Sequence, residues 1–177
     1  MIQNEVIDNI LSRRSVRRYA DRTVPDEAVE TMLACARFAP SGLNNQPWRF
    51  AVIDDPAVMA QFAGLTHYTD IILSAPLLIA VFLDTASSYN RDKDLEAVGA
   101  CIQNILLAAH SVGLGAVWLG EILKNKEKIS GILAAPSNFE LAAVIAVGYP
   151  ADGAVPEKAE RKLLSEIVFK NKYAEGQ

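Results

Sequence analysis

The chain has 177 residues, of which 51% are hydrophobic, and its formal net charge is -4. This length fits one domain with a real core, and the negative charge gives no reason to expect nucleic acid as a general partner. The apolar runs are too short to span a bilayer, and the N-terminal stretch MIQNEVIDNILSRR lacks a signal-peptide pattern. Two separate cysteines and two histidines offer no zinc pattern. A cytoplasmic protein without a metal is therefore expected.

The first half of the chain is predicted to contain three helices and two strands. NEVIDNILSRR is predicted to be a helix, with an apolar stripe made by Val6, Ile7, Ile10 and Leu11. RTVPDEAVETMLACARFAP predicts a helix with Pro25 at its first position and an end before Pro40. RFAVIDD is predicted to be a strand, PAVMAQFAGL a short helix, and PLLIAVFLD a strand buried on both faces.

The second half is dominated by the longest predicted helix, DLEAVGACIQNILLAAHSVGLG, which is almost wholly apolar and therefore belongs at the centre of the fold. Its glycines at VGLG predict a C-terminal cap. AVWL and FELAAVIAVGYP are predicted strands, with a helix over KNKEKISGIL between them. Because helices and strands mix without regular βαβ alternation, an α+β or three-layer arrangement with a mixed sheet is expected.

Four arginines surround Ser15 where the first helix ends, in SRRSVRRY. If this segment is extended, Arg13, Ser15 and Arg17 share one face. Two guanidinium forks and a hydroxyl on one face match a phosphate monoester. The alternative is a solvated basic segment, which is favourable at the C-terminus of a helix.

A dense polar turn, APSGLNNQPW, separates the second helix from the first strand. The consecutive amides of residues 44–46 can read the edge of a heterocycle that carries donors and acceptors. Gly42 lets the backbone approach a ligand closely, while Pro40 and Pro47 stiffen the turn. The alternative is an ordinary helix-to-strand loop with Trp48 as a core anchor, and for Trp48 itself we favour that role.

Two later stretches are weaker candidates. GLGAVWLGE is not a dinucleotide fingerprint, because its third glycine, Gly120, falls two positions too late. Gly120 follows a short strand, where backbone amides could face a ligand, although a simple strand-end turn is equally compatible. In EKAERKLLSEIV, Arg161 could reach the anion of the first arginines if the tail wraps back, although a charged helix surface explains the pattern as well.

Side chains for acid–base or nucleophilic chemistry are scarce. The sequence has no G-x-S-x-G elbow, no Walker loop and no His-Glu-x-x-His motif. Phosphate-binding forks and amides without catalytic side chains indicate that a bound cofactor does the chemistry.

Taken together and in order, these stretches resemble the FMN-dependent nitroreductase family. The carrying motifs are RRSVRRY, APSGLNNQPWRF, AVGACIQNILLAAHSVGLGAVWLGE and ERKLLSEIV, and the match runs from about residue 7 to about residue 168. The resemblance implies one α+β domain over residues 1–177, a three-layer α/β/α sandwich with a mixed, mainly antiparallel sheet. It also implies an intertwined homodimer with FMN at the interface and a tail, from about residue 150, that wraps the partner. A mean hydropathy of +0.15 is compatible with such a buried surface.

The resemblance also assigns cofactor contacts from the chain's own subunit. Arg13, Arg14 and Ser15 correspond to phosphate and ribityl contacts, Arg161 to a second phosphate arginine, and Arg17 to the cation near the flavin N1–O2 edge. The segment whose backbone amide meets flavin N5 corresponds to Leu119, Gly120 and Glu121.

A further segment is implied to come from the partner subunit and to contact the ring and ribityl chain, namely Pro40, Ser41, Gly42, Leu43 and Asn44. The family's tail lysine is replaced by Ala159, for which Lys158 or Lys162 could substitute. His67 is the nearest counterpart of the family's amide-bearing flavin contact. The chain is short for the family, which implies less cover over the flavin.

The implied activity is ping-pong hydride transfer from NADH or NADPH, through FMN, to a small-molecule acceptor such as a nitroaromatic or quinone. No side chain is expected to be catalytic, because the flavin does the chemistry. The alternatives are other redox reactions on the same fold, namely flavin cleavage, reductive dehalogenation or azoline oxidation, and a flavin-binding protein without turnover.

Overall fold

Four antiparallel strands form the centre of the molecule, in the order β1-β2-β4-β3. The structure is a computed structural model that describes residues 2–154 and 160–172. The strands within these residues are β1 Trp48–Ile53, β2 Leu77–Asp84, β3 Gly115–Leu119 and β4 Phe139–Gly148. The helices are α1 Glu5–Ser12, α2 Asp26–Ala36, α3 Pro56–Ala63, α4 Thr69–Ser74, α5 Arg91–Ser111, α6 Lys126–Ile132 and α7 Leu164–Ile167. Two 3-10 helices cover Gly42–Asn44 and Glu121–Asn125.

The apolar sequence of β2 makes it the most buried strand of the sheet. All eight of its residues are buried, between β1 on one side and β4 on the other. Because successive side chains of a strand point to opposite faces, Leu77, Ile79, Val81 and Leu83 join one core cluster and Leu78, Ala80 and Phe82 join the other. A strand buried on both faces has no polar face, which confirms the prediction for PLLIAVFLD.

Helices cover both faces of the sheet. The first cluster contains buried residues of α2 and α5, including Met32 and Ile102, and it also holds Trp48 as the predicted core anchor. The second contains Phe62 of α3, Ile72 of α4 and Ile129 of α6. This confirms the α+β, three-layer α/β/α arrangement. The strand pairs are all antiparallel, and the parallel component of the sheet is a bridge between Ser15 and Ala116.

Helix ends follow local chemistry. Asn4 caps α1 by accepting from the Ile7 amide at 2.9 Å, and Asn90 caps α5 by accepting from Lys93 at 3.1 Å. Gly113, with φ +78, follows the end of α5 as the predicted glycine cap. The position predicted for Pro25 is corrected by one residue: it precedes α2 in an extended conformation, because its ψ of 143° is not helical.

The C-terminal segment contributes little to the core of this chain. Residues 160–172 are exposed throughout, including the apolar side chains of α7. Among the described residues, no helix is long and apolar enough to cross a membrane.

Candidate functional site

The arginine segment that follows α1 is attached to the sheet at two points. The Val16 amide donates to the Ala116 carbonyl of β3 at 3.1 Å, beside the parallel bridge between Ser15 and Ala116. Farther along, Tyr19 pairs with Pro150 just after β4. The segment is therefore extended, as the sequence predicted, and it lies along the edge of the sheet.

Close packing fixes the position of this segment. The buried Tyr19 hydroxyl donates to the Val16 carbonyl at 2.7 Å and to the Ala146 carbonyl of β4 at 3.0 Å, and burial raises the pKa of this phenol. Val16 packs so tightly on Gly115 that a Cβ at that glycine would lie 2.6 Å from the Val16 side chain. Glycine at position 115 is thus what allows the segment to approach β3.

Arg13 has the features of an anion-binding residue. Its Nε atom is buried and has no hydrogen-bond partner among the described residues. Burial lowers the pKa of Arg13, and repulsion from Arg14 and then from Arg161 lowers it further. Since an unpaired buried donor among like charges is unfavourable, a bound anion would stabilise this arrangement. The same repulsion puts Arg161 within electrostatic range of Arg13, while a shared anion for the two residues stays a prediction.

The other residues of the segment differ in what they contact. The Arg14 guanidinium donates to the Leu11 carbonyl at 2.6 Å and to the Arg13 carbonyl at 2.8 Å, so it also satisfies the end of α1. Ser15 is half-buried and Arg17 is exposed. A cavity of about 240 Å³ next to this segment is lined by Arg13, Arg14, Val16, His110 and residues 113–116, among others.

The other end of β3 carries the second candidate segment. Leu119 is buried, whereas Gly120 is exposed and is followed by the 3-10 helix that begins at Glu121. From Ala116 to Gly120 the strand spans about 13 Å. One chain therefore presents Arg13 and Ser15 near the start of β3 and Gly120 at its end.

The Glu121 carboxylate holds a neighbouring loop against this end of β3. It accepts from Thr66 Oγ1 at 2.6 Å and from the His67 amide at 3.3 Å, and it pairs with Lys124. The hydrogen bonds from Lys124 and then from Thr66 lower the pKa of Glu121 to about 2. His67, an exposed side chain 3.7 Å from Glu121, is placed beside Gly120 by this contact.

The polar turn after α2 has an unusual backbone. Leu43, Asn44 and Gln46 have φ values of 55°, 54° and 47°, a region that non-glycine residues rarely adopt. The backbone amide of Gln46 donates to Ser41 Oγ at 3.1 Å. Leu43 is 85% exposed. The turn therefore holds an apolar side chain out into solvent on a strained backbone.

Two residues that the sequence analysis did not identify support this turn. Asp94 of α5 is buried and accepts from Asn45 Nδ2 at 2.9 Å. Tyr89 lies against Gly42, where a Cβ atom would overlap the phenol. Pro40 precedes the turn and is exposed. The signal for Asp94 in the sequence is an acidic residue in the first turn of an apolar helix. Acidic residues are common at helix N-termini, so this position does not stand out.

The polar turn and the arginine segment do not meet within one chain. The turn is bound to Asp94 near the start of α5, whereas Ser12, next to Arg13, lies 2.9 Å from Nε2 of His110 near the end of α5. Asp94 and His110 are separated by roughly 24 Å along the helix axis, at 1.5 Å per residue. The two segments are therefore attached near opposite ends of α5.

A large apolar groove lies between α1, α2 and α5. It has a volume of about 970 Å³ and is lined by Val6, Cys35, Phe38, Leu107 and others. Val6, Ile10 and Leu11, three residues of the apolar stripe predicted on α1, are all exposed. Among the described residues, no cluster of histidine, cysteine or acidic side chains could hold a metal ion. Lys158, an alternative phosphate contact in the sequence analysis, lies outside the described residues.

Comparisons with known proteins agree with this architecture. The model of the family described as "Nitroreductase family" matches residues 10–68 and 64–149. A "Putative NADH dehydrogenase/NAD(P)H nitroreductase" of Archaeoglobus fulgidus is 35% identical over 152 residues, which cover 84% of this chain and 87% of that protein. A solved "putative nitroreductase in complex with fmn" from Desulfovibrio desulfuricans is 44% identical, with a TM-score of 0.89 over 98% of this chain and 100% of that chain. An iodotyrosine deiodinase of Haliscomenobacter hydrossis is 29% identical over 182 residues, covering 85% of this chain and 81% of that protein.

Proposed function

Because the chain belongs to the nitroreductase family, we propose that it passes hydride from NADH or NADPH to a nitroaromatic, a quinone or a similar small acceptor. It is an FMN-dependent NAD(P)H oxidoreductase. FMN, when bound, accepts hydride from the nicotinamide and donates it to the acceptor, so no side chain of this protein has to act as an essential acid or base.

The observation that carries the proposal is the buried Nε atom of Arg13, which has no hydrogen-bond partner in the described part of the chain and is repelled by the charge of Arg161. A phosphate monoester would supply an acceptor oxygen for Arg13 Nε and a negative charge that offsets the repulsion between the two guanidinium groups. Ser15 lies next in line to donate its hydroxyl to the phosphate or to the ribityl chain. These residues therefore fit the phosphate end of FMN, and Arg14 remains a predicted phosphate contact alongside its bonds to the end of α1.

The remaining contacts are proposed to orient the ring. Arg17, which shares the face of Arg13 and Ser15, would place a positive charge near the N1–O2 edge. Leu119, Gly120 and Glu121 would offer a backbone amide to N5 at the far end of β3. The span of about 13 Å along this strand suits a molecule with a phosphate at one end and a ring at the other.

The site is proposed to be completed by a second copy of the chain. Because the polar turn lies at the opposite end of α5 from the arginine segment, residues 40–44 would reach the cofactor of the partner subunit. The groove between α1, α2 and α5, with the exposed stripe of α1, supports a homodimer. The exposed α7 segment supports a tail that packs on the partner. The cytoplasmic location remains a prediction.

Reductive dehalogenation is the second candidate activity, because the deiodinase relative aligns over most of both chains. Sustained turnover of a nitroaromatic with NADPH would favour the first activity. Iodide release from iodotyrosine by the reduced protein, without nitroaromatic turnover, would favour the second. Bound FMN that NADH and NADPH both fail to reduce would indicate a flavin-binding protein without turnover.

The test of FMN binding compares two arginine variants. We expect the purified protein to show the visible absorption of FMN and to lose it on anaerobic titration with NADH or NADPH. The Arg13→Ala variant should bind FMN at least about tenfold more weakly, because hydrogen bonds to a charged group are lost. Arg18→Ala, which removes an exposed arginine outside the shared face, is the matched control.

Two results would overturn the proposal. One is a colourless wild-type protein that shows no heat of binding when FMN is added in a calorimeter. The other is an FMN dissociation constant that is the same for Arg13→Ala and Arg18→Ala.

A further inference from the structure

We propose that Asp94 is a positioning residue for the cofactor, acting through the polar turn that the proposed function assigns to the FMN of the partner subunit. The inference rests on that proposed function. Asp94 would not touch FMN. It would hold the turn of residues 41–46 in the one backbone shape that presents Leu43 and Asn44 outward.

Asp94 connects two loops at the start of α5. Its side chain is buried, with 0% of its surface exposed. One carboxylate oxygen accepts from Asn45 Nδ2 at 2.9 Å. The other accepts from Ser88 Oγ at 2.6 Å and from the backbone amides of Tyr89 and Asn90 at 3.1 and 3.3 Å. The polar turn and the loop before α5 are thus tied to a single group.

The turn needs an external anchor because its own backbone is strained. Three of its residues, Leu43, Asn44 and Gln46, have positive φ, a conformation that is unfavourable for residues with a side chain. Between them Asn45 has φ -71 and supplies the link, since its amide donates to Asp94 and also to the Ser87 carbonyl at 3.2 Å. Strain of this kind persists only where surrounding contacts over-determine it.

Hydrogen bonds alone hold the Asp94 carboxylate in its buried position. No ion pair to Asp94 occurs in the part of the chain that the structure describes, so its burial cost is offset only by hydrogen bonds. Those bonds are numerous enough to hold the pKa of Asp94 below its usual value despite the opposing effect of burial. The group held in this way is bonded to a strained turn whose apolar residue, Leu43, points into solvent.

Tyr89 strengthens the same arrangement. Its amide donates to Asp94, and its ring lies against Gly42 so closely that no Cβ atom fits there. The carboxylate therefore holds the backbone of Tyr89 as well as the side chain of Asn45. Both contacts restrict the turn from the side that faces this chain, which leaves the other side open to a ligand.

The test compares two variants that each remove one hydrogen bond to Asp94. Asn45→Ala detaches the turn, whereas Ser88→Ala removes a partner on the other loop. Apoprotein of each variant is titrated into FMN, and binding is followed by the change in flavin fluorescence. We expect Asn45→Ala to weaken FMN binding at least about tenfold, since a hydrogen bond to a charged group is lost at the turn, and Ser88→Ala to weaken it less than about threefold.

The thermal midpoints of the two apoproteins separate positioning from stability. A purely structural role predicts that FMN affinity follows the midpoint, so that equal losses of stability give equal losses of affinity, and this outcome would overturn the inference. An unchanged dissociation constant for Asn45→Ala would also overturn it. Failure of the wild type to bind FMN would instead count against the proposed function.

A second variant covers the case in which Asn45→Ala does not fold. Asp94→Asn keeps the volume and removes the charge, so the turn loses its charge-assisted bond with little change in packing. Weaker FMN binding by a folded Asp94→Asn protein is expected. Wild-type affinity in that variant would reject the positioning role.

Discussion

At the scale of single residues, Arg13 and Arg17 share a face but differ in burial, and this difference separates their expected roles. Arg13 has a buried donor with no partner among residues 2–154 and 160–172, whereas Arg17 is exposed. We expect Arg17→Ala to retain FMN but to slow its reduction by NADH roughly tenfold or more, because a charge near N1–O2 acts mainly on the transition state. Stopped-flow mixing under anaerobic conditions measures this rate, with Arg18→Ala as the control. An unaffected rate would reject the role given to Arg17.

Sequence reasoning reached some residues of the site and missed others for a physical reason. The segment around Arg13 could be identified from the sequence because alternation in an extended chain places every second side chain on one face. Asp94 could not be identified in this way, because its role depends on the side-chain amide of Asn45, 49 residues away in the chain. No periodicity within α5 or within the turn predicts the contact between Asn45 and Asp94.

At the scale of elements, the approach of the arginine segment to β3 depends on Gly115. An alanine there would place its Cβ 2.6 Å from the Val16 side chain, so one of the two must move. We expect Gly115→Ala to lower the free energy of unfolding by about 1–3 kcal/mol and also to weaken FMN binding, since Arg13 and Ser15 move with Val16. Urea unfolding and FMN titration measure the two effects.

Gly131 of α6 provides the matched control, because a Cβ there would meet nothing within 4 Å. Alanine at this exposed helical position should raise stability by up to about 1 kcal/mol and leave FMN affinity unchanged. If Gly115→Ala and Gly131→Ala bind FMN equally well, the segment is not positioned by its packing on β3.

The link between β3 and the loop of Thr66 and His67 is expected to depend on pH. Since hydrogen bonds lower the folded-state pKa of Glu121 to about 2, below its usual value of 4.5, the carboxylate stabilises the fold above about pH 4.5 and this contribution is lost as the pH falls toward 2. The difference in unfolding free energy between wild type and Glu121→Gln should therefore be largest near neutral pH and small near pH 2. Glu127→Gln, an exposed carboxylate of α6, serves as the control. A difference that does not change with pH would contradict the role of the Glu121 charge.

The long elements were predictable and the short ones less so. β2 and α5 were identified because a continuous apolar run and a 21-residue helix leave little ambiguity. α4 was missed, since TDIILS covers only six residues and an apolar run of that length has no clear helical period. Pro25 was misplaced by one position because proline suits both sides of a helix start, and only ψ distinguishes them.

At the scale of the whole molecule, the exposed apolar surfaces are concentrated on the elements that the proposed dimer would bury. Val6 and Leu11 of α1 and Phe38 after α2 are exposed beside the groove, and so are Leu164 and Ile167 of α7. Exposed apolar surfaces made of several large side chains are uncommon on monomeric proteins. Sedimentation of the purified protein should therefore give the mass of two chains, and a Val6→Glu, Leu11→Glu double variant should shift it toward one. A monomeric wild type would contradict the assembly.

A mixed dimer distinguishes a shared site from one built within a single chain. An Arg13→Ala chain is paired with an Asn45→Ala chain by purification on two different tags. If the polar turn serves the partner subunit, one site of this dimer carries both defects and the other carries neither. Calorimetry should then show one FMN per dimer bound with wild-type affinity, whereas if the turn serves its own chain, each site carries one defect and neither binds normally. A dimer of wild-type and Asn45→Ala chains has one intact site under either arrangement and fixes the expected signal. The attachment of the two segments to Asp94 and His110, roughly 24 Å apart along α5, is the reason to expect the first result. The absence of any wild-type-affinity site would show that the two segments do not share a cofactor across the interface.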